Sequence, residues 1–230
     1  MTTIAGALAQ RRHEVSDRVR VRRNPTRGHY DRASIDDVLS RGLLAHVAFL
    51  DGRYPCCIPM LYAQLGDKIY IHGSTASRAI RALADGAAAC VTVTIVQGLV
   101  LARSTYEHSA NYEAVMAFGR FAQIDDEAER MTAFEAFTEK LLPGRWEEVR
   151  QPNAKELKAT SILAMEIDEA SAKIRTGPPD DDDSPDAERD TWAGVVPIVS
   201  SFGTPVPSPG LRPDIPLAPS VRALSGSSSP

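Results

Sequence analysis

The stretch Ile71–Leu83, IHGSTASRAIRAL, gathers hydroxyls, a glycine and two arginines at one point of the chain. It follows the strand-like run KIYIHG and continues with apolar residues at helical spacing. The first N–H groups of a helix lack partners within the helix, and guanidinium groups match phosphate oxygens. Arg78 and Arg81 lie three residues apart, so both can project from the same side of that helix. The junction is therefore either an ordinary N-cap on a basic helix or an anion site.

A second polar stretch, ARSTYEHSANYEAV (Ala102–Val115), is expected to form a loop between two strands. Long polar loops beside a sheet often carry binding residues, although a solvated connection has the same composition. Its candidate binding residues are Arg103, Ser109, Asn111 and Tyr112.

The histidines and cysteines form no recognised metal-ligand spacing. A single histidine could ligate haem iron, but a lone histidine is more often a surface or core residue. The candidates are His29, His46, His72 and His108. The cysteines lie in apolar runs, which predicts small buried side chains rather than disulfides or a zinc site; they are Cys56, Cys57 and Cys90.

Several catalytic classes are excluded by missing motifs. The chain has no GxSxG elbow and no persuasive Ser/His/Asp or Cys/His arrangement, so no nucleophile is assigned. It also lacks GxGxxG and Walker motifs, which argues against Rossmann and P-loop nucleotide sites. We therefore name no catalytic residue.

The composition is that of an ordinary globular protein. The 230 residues are 43% hydrophobic and 24% charged, with a formal net charge of −4. This charge argues against general nucleic-acid binding. No apolar run reaches membrane-spanning length, and the N-terminal charges follow the short apolar patch, unlike in a secretory signal. We expect a cytoplasmic protein that binds neither nucleic acid nor membranes.

Hydrophobic patterns and turn signals predict the elements that position the candidate residues. The predicted strands are Leu43–Leu50, Pro55–Gln64, Lys68–His72, Ala88–Ile95 or as far as Ala102, Val115–Ile124, and Thr160–Glu169. The predicted helices are Ser34–Leu39 with Ser34 as N-cap, Ser77–Ala84, Asp125–Leu142 and Asn153–Lys158. Short connections require antiparallel neighbours, so the pattern favours a small, mainly β barrel with inserted helices.

Prolines and glycines refine this prediction. Pro55 and Pro59 predict an edge strand or a strand with part of its backbone unpaired, and Gly119 predicts a bulge. The apolar segment Thr191–Val199 is expected to dock back onto the body after an acidic linker. The Pro-, Ser- and Gly-rich tail that follows cannot bury enough apolar surface to order itself, so it must lie across a neighbour or its own barrel.

In the order of these motifs the chain resembles the pyridoxamine 5′-phosphate oxidase-like flavin-binding split-barrel superfamily, especially its nitroimidazole-resistance-like, flavin-nucleotide-binding branch. The similarity is carried by RRNPTRGHYDRASIDDVLSRGLLAHVAFLDGRYPCCIPMLY, DKIYIHGSTASRAIRAL, HSANYEAVMAFGRFAQIDD and ELKATSILAMEIDEASAKIRTGPP. It covers about Arg20–Val199, which implies an extension over 1–19, a flavin-binding domain over 20–199 and a tail over 200–230.

The resemblance implies a six-stranded antiparallel split β-barrel that forms a homodimer with flavin sites at the interface. It assigns the flavin phosphate to the start of the helix after the third strand: His72, Gly73, Ser74, Ser77 and Arg78. It places the flavin ring along the second strand, beside Pro59, Met60 and Leu61. Further contacts are implied for the HSANY residues Ser109, Asn111 and Tyr112, from the same or the partner subunit, with Arg103 and Trp192 as additional candidates.

The superfamily uses FMN, FAD, the deazaflavin F420 and, in some branches, haem. We take FMN as the first choice. FAD is the second choice, and it stays open because Arg22–Arg27 could hold a second phosphate. The acidic segment PPDDDDSPDAERD stands where vitamin B6 oxidases carry basic residues, which argues against that activity. The expected function is a flavin-dependent oxidoreductase of a small molecule. The alternatives are a non-enzymatic flavin or haem storage protein and a dimeric interaction module without a ligand.

Overall fold

The computed structural model describes residues 15–224. Within them nine strands are formed: β1 (Gly28–His29), β2 (Leu44–Asp51), β3 (Tyr54–Leu65), β4 (Lys68–Ser74), β5 (Ala88–Leu101), β6 (Ser109–Gln123), β7 (Thr160–Glu166), β8 (Glu169–Arg175) and β9 (Gly194–Pro197). Five helices accompany them: α1 (Arg32–Arg41), α2 (Arg78–Ala84), α3 (Glu127–Leu141), α4 (Ala154–Ala159) and α5 (Pro219–Leu224). None of the helices in this part of the chain is long and apolar enough to cross a membrane.

Six strands form a ring of antiparallel pairs in the order β2–β3–β4–β7–β6–β5, and β5 pairs again with β2. Strand β8 adds to β6, β1 adds to β8, and β9 adds to β5. The ring confirms the predicted six-stranded, mainly β architecture. The pairing of β9 with β5 confirms that the apolar segment around Val195 docks onto the body.

Two apolar layers hold the ring together. Side chains facing the inside of the ring are fully buried, among them Val47, Val91 and Val115. Helix α2 closes the ring by placing Ile80 and Leu83 in this layer, which stabilises the fold by about 1.5–3 kcal/mol for each side chain. Helix α3 covers the opposite face of β4 and β7 and forms a second, separate layer there.

The start of α1 differs from the prediction. The N-cap is Asp31, whose side chain accepts a hydrogen bond from the Ser34 backbone N–H at 2.9 Å. Ser34 lies within the first turn, and its hydroxyl donates to the same carboxylate. The prediction of Ser34 as N-cap was wrong because an acidic cap three residues earlier satisfies the helix start.

Two strand predictions and one bulge prediction were also wrong. Strand β6 starts at Ser109, inside the stretch predicted to be a loop, because its polar residues pair with β5. The predicted strand Thr160–Glu169 ends at Glu166, and β8 was missed as a separate strand. The register of β6 runs unbroken through Gly119, so the predicted bulge is absent; the shift occurs between Val96 and Gly98.

The other predicted features have mixed outcomes. Two thirds of β3 has a free edge, as its prolines predicted: residues 54–61 pair with β2 only, and residues 62–65 pair with β4. Cys57 is exposed while Cys56 and Cys90 are half-buried, so the predicted burial is wrong for Cys57, which lies on the outer face of this edge. The tail is extended as far as α5, where Ser220 N donates to the Glu148 carboxylate at 2.9 Å.

Candidate functional site

The ring is split between β3 and β4. These strands pair from Leu65–Lys68 to Tyr62–Ile71 and then diverge: β3 follows β2, whereas β4 stays paired with β7 as far as Ser74. Among the described residues, no strand covers the remaining edge of β3 over 54–61. Its backbone groups therefore border an opening whose other side is the end of β4 and the start of α2. We call the segment His72–Arg78 the β4–α2 corner.

The hydroxyls of the β4–α2 corner act as caps. Ser77 is the N-cap of α2, and its hydroxyl accepts from the Ile80 backbone N–H at 3.5 Å. The Ser74 hydroxyl accepts from the Ala76 N–H at 3.2 Å. Ser74 and Ala76 are nevertheless exposed, so their polar groups remain accessible to a ligand. The N-cap interpretation is confirmed, and the anion site stays a prediction.

Arg78 supplies the charge of the corner. Its side chain is 78% exposed, and its Nε lies 2.8 Å from the Asp51 carboxylate at the end of β2. This ion pair bridges the end of β2 and the start of α2. A bound phosphate would have to share the guanidinium with Asp51 or displace it.

Gly73 and His72 have different surroundings although they are adjacent. A Cβ on Gly73 would lie 2.7 Å from Ile80 Cγ1, so glycine allows α2 to pack closely on β4. The His72 ring lies on the opposite face of β4, under α3, with its centroid 4.5 Å from that of Phe137. Its Nδ1 is buried without a hydrogen-bond partner, and burial lowers the His72 pKa. The structure therefore separates His72 from the other predicted phosphate residues.

The predicted ring-binding residues alternate along the free edge of β3. Met60 packs against the interior of the ring, and Pro59 is exposed on the outer face. Pro59 is opposite His46, and His46 is opposite Thr92 on β5. Leu61 is half-buried beside them. The exposed His46 imidazole thus stands on the outer face, next to the predicted ring site.

The remaining predicted residues lie at the end of the β5–β6 hairpin. The Arg103 backbone N–H and guanidinium donate to Asp181 at 2.6 and 3.0 Å, and Asp181 is 1% exposed. Asn111 is buried and donates to the Gly177 carbonyl at 3.1 Å. Within one chain, Arg103 and Asn111 thus hold the acidic segment onto the body. Near the same end, Ser109 and Trp192 are exposed.

Two of the predicted haem ligands, His108 and His29, have side chains that other parts of the chain already contact or partly cover. His108 Nδ1 lies 2.8 Å from the Ser104 carbonyl. His29 is half-buried on β1, opposite Ala172.

A hollow lies on the outer face of β5, β6 and β8, and the sequence indicated only its Arg22–Arg23 part and Tyr112. We call it the arginine groove; its volume is about 280 Å³, and its lining residues are Arg18, Val19, Arg20, Val21, Arg22, Arg23, Thr92, Tyr112, Ala114, Met116, Ser171 and Lys173. Of the predicted flavin contacts, Tyr112 lines it, and so do Arg22 and Arg23 of the segment predicted to hold a second phosphate. A neighbouring open hollow of about 490 Å³ shares Arg18 and is mainly apolar. The alternation of RVRVRR was the available signal: a strand-like period of two predicts valines on one side and arginines on the other.

A family model described as pyridoxamine 5′-phosphate oxidase matches residues 31–174. This chain belongs to the pyridoxamine 5′-phosphate oxidase family. The matched range contains the ring, the free edge of β3 and the β4–α2 corner, whereas the arginines of the groove precede it. No curated protein matches the sequence.

Two solved structures are similar to this chain over most of its length, and a third shares the fold over a shorter part. Flavocytochrome Anf3 from Azotobacter vinelandii is 38% identical, with a TM-score of 0.85 over 91% of this chain and 97% of that chain. The FAD and heme binding protein from Mycobacterium smegmatis is 40% identical, with a TM-score of 0.82 over 86% and 97%. A putative 5-nitroimidazole antibiotic resistance protein from Bacteroides thetaiotaomicron, 17% identical over 64% and 86% with a TM-score of 0.55, shares the fold.

Proposed function

We propose that the protein binds a flavin nucleotide at the opening between β3 and β4 and uses it to oxidise or reduce a small molecule. The observation that carries the proposal is the free edge of β3 across the split from the β4–α2 corner. A flavin supplies the redox chemistry when it is bound, and the protein supplies anchoring, orientation and a shaped pocket.

The residues around the opening between β3 and β4 suit a flavin nucleotide. The unpaired edge of β3 offers backbone donors and acceptors, and a flavin ring carries the matching polar groups along its edge. The corner offers the exposed Ser74, the Ser77 cap and the Arg78 guanidinium to a phosphate. Backbone contacts would fix the orientation of the ring, and the Arg78 guanidinium, shared with Asp51 or released from it, would hold the phosphate.

The choice of flavin favours FAD over FMN. One relative at 40% identity is described as an FAD and heme binding protein, and another at 38% as a flavocytochrome. The first description supports FAD, and both descriptions make haem a specific second ligand. We further propose a homodimer with the flavin sites at its interface, as the family resemblance implies, and a cytoplasmic location.

Arg78→Ala tests the flavin site. The full-length protein should show flavin absorbance or take up FMN and FAD in a fluorescence titration. The variant should weaken flavin binding about tenfold or more, the scale of one charge-assisted hydrogen bond. Arg150→Ala is a matched control, because Arg150 is also exposed and ion-paired, with Glu156 at 2.6 Å. A protein that binds neither flavin, or equal affinity in both variants, would contradict this site.

Haem is the second candidate ligand, and His46 is the histidine best placed to ligate its iron. The imidazole is exposed on the outer face beside Pro59 and Thr92, whereas His72 is enclosed under α3. Haem titration should produce a Soret band that His46→Ala abolishes and His108→Ala retains. Loss of the band in the His108 variant instead would reject His46.

Turnover separates an enzyme from a storage protein. We expect bound flavin to be reduced by a donor such as NADPH and reoxidised by a small-molecule acceptor over many cycles. Tight flavin or haem binding without turnover would favour the storage alternative. If the protein binds neither flavin nor haem, the remaining alternative is a dimeric interaction module without a ligand.

A further inference from the structure

The N-terminal segment Ser16–Arg23 lies against the outer face of β6 and β8. Val19 is 3% exposed and anchors the segment in the sheet. The Arg18 guanidinium lies 5.4 Å from the Phe118 ring centroid and 3.9 Å from the Glu169 carboxylate. These contacts set the arginines of the segment beside the sheet and create the wall of the arginine groove.

The groove carries an excess of positive charge. Its five cations are Arg18, Arg20, Arg22, Arg23 and Lys173. Two carboxylates partner them at the surface: Glu169 contacts Arg18, and Asp17 lies 3.3 Å from Arg22 and 3.9 Å from Arg20. Within residues 15–224, Arg23 and Lys173 form no ion pair. A local excess of three positive charges remains, which favours a multiply charged anion.

The floor of the groove suits a ring attached to that anion. Tyr112 and Met116 provide an apolar surface, and Thr92 and Ser171 contribute hydroxyls. Nucleobases stack on tyrosine and guanidinium planes, and guanidinium groups pair with phosphate oxygens. The volume of about 280 Å³ is at the lower end of small-molecule sites. The groove therefore fits one nucleotide-sized moiety better than a complete dinucleotide.

We propose that the arginine groove binds a nucleoside diphosphate moiety. This chemistry has two sources: the adenosine diphosphate half of FAD, which rests on the proposed flavin function, and a pyridine dinucleotide that serves as electron donor. The diphosphate faces the arginine wall, and the base lies on Tyr112 and Met116. In either case the groove favours a cofactor that carries an adenosine diphosphate moiety over FMN, which carries none.

Calorimetric titration of ADP into the full-length protein saturated with FMN tests the groove. ADP should bind at least roughly tenfold more tightly than adenosine, because the diphosphate pairs with the guanidinium groups. Arg22→Ala/Arg23→Ala should weaken ADP binding roughly 10- to 100-fold. Arg145→Ala/Arg150→Ala removes the same charge from sites outside the groove and should leave ADP affinity unchanged.

Two further titrations identify the source of the diphosphate. If it belongs to FAD, the Arg22/Arg23 double variant should lose FAD affinity and keep FMN affinity. If it belongs to a pyridine dinucleotide, the variant should lose NADPH affinity and keep both flavin affinities. Circular dichroism melting shows whether the double variant is folded. Lys173→Gln is a second test variant of the groove, and it lies on the paired strand β8 instead of the irregular segment.

Equal binding of ADP and adenosine, or an unchanged ADP affinity in the double variant, would overturn the groove proposal. The failure of the flavin proposal looks different. In that case FMN does not bind at all, and ADP still binds to the groove in a manner that depends on Arg22 and Arg23.

Discussion

The β4–α2 corner and the arginine groove both offer positive charge to a phosphate, but they are built differently. The corner stands on core elements, and its single cation at Arg78 is already paired with Asp51 at 2.8 Å. The groove is walled by an irregular segment whose arginines outnumber the carboxylates. The corner is therefore suited to orienting one phosphate, whereas the groove attracts charge with less geometric control.

The largest expected difference concerns stability. Gly73→Ala should lower the free energy of unfolding by about 1–3 kcal/mol, because the new Cβ would lie 2.7 Å from Ile80 Cγ1 in the core. Gly210→Ala is the control, since its Cβ would meet no atom within 4 Å. The Arg22/Arg23 double variant should leave stability unchanged. Chemical denaturation measures all three, and an unchanged Gly73 variant would show that the corner is not fixed by packing.

The next effect concerns the ion pair at the corner. Asp51→Asn frees Arg78 and should raise FMN affinity about three- to tenfold, whereas ADP affinity at the groove stays constant. In a double-mutant cycle, Arg78→Ala should cancel this gain. Titration of FMN against the four proteins measures the coupling. A gain that survives in the double variant would mean that Asp51 acts through another group.

Added salt should produce a smaller difference between the ligand affinities of the two sites. Between about 50 and about 300 mM salt, ADP affinity should fall several-fold more than FMN affinity, because exposed, unpaired cations are screened most. The corner has only one cation, and its partner is Asp51. Parallel slopes for ADP and FMN would indicate that both ligands use the same set of charges.

The smallest effect concerns pH and His72. Burial lowers the pKa of His72 in the folded protein below its ordinary value of 6.5. As the pH falls below about 6.5, the unfolded chain binds a proton that the folded chain rejects, so this site contributes a loss of stability towards acid pH. His72→Phe should remove that contribution and keep FMN affinity. Melting curves at several pH values test the first point, and a loss of FMN binding would place His72 among the phosphate contacts after all.

Local patterns were sufficient for many elements. The β2 and β3 strands, α2 and α3 follow from alternation, helical spacing and turn residues, because each signal lies within its own segment. The free edge of β3 also followed from Pro55 and Pro59, which lack the N–H of a central strand. Two predictions failed because the competing residues are equally polar. Asp31 and Ser34 can both cap a helix, and the polar residues after Ser109 can form either a loop or a strand. Only the pairing and packing of the folded chain decide between them.

The sequence by itself determined the six-stranded plan, the family resemblance and the residues of the β4–α2 corner, because these depend on local order and spacing. The tertiary structure decided which of those residues share an environment. It places His72 under α3, pairs Arg78 with Asp51, and ties Arg103 and Asn111 to the acidic segment. It also brings Lys173 beside four arginines that are about 150 residues earlier in the chain. The physical reason is that strand pairing sets which side chains meet across the sheet, and no local pattern encodes that register.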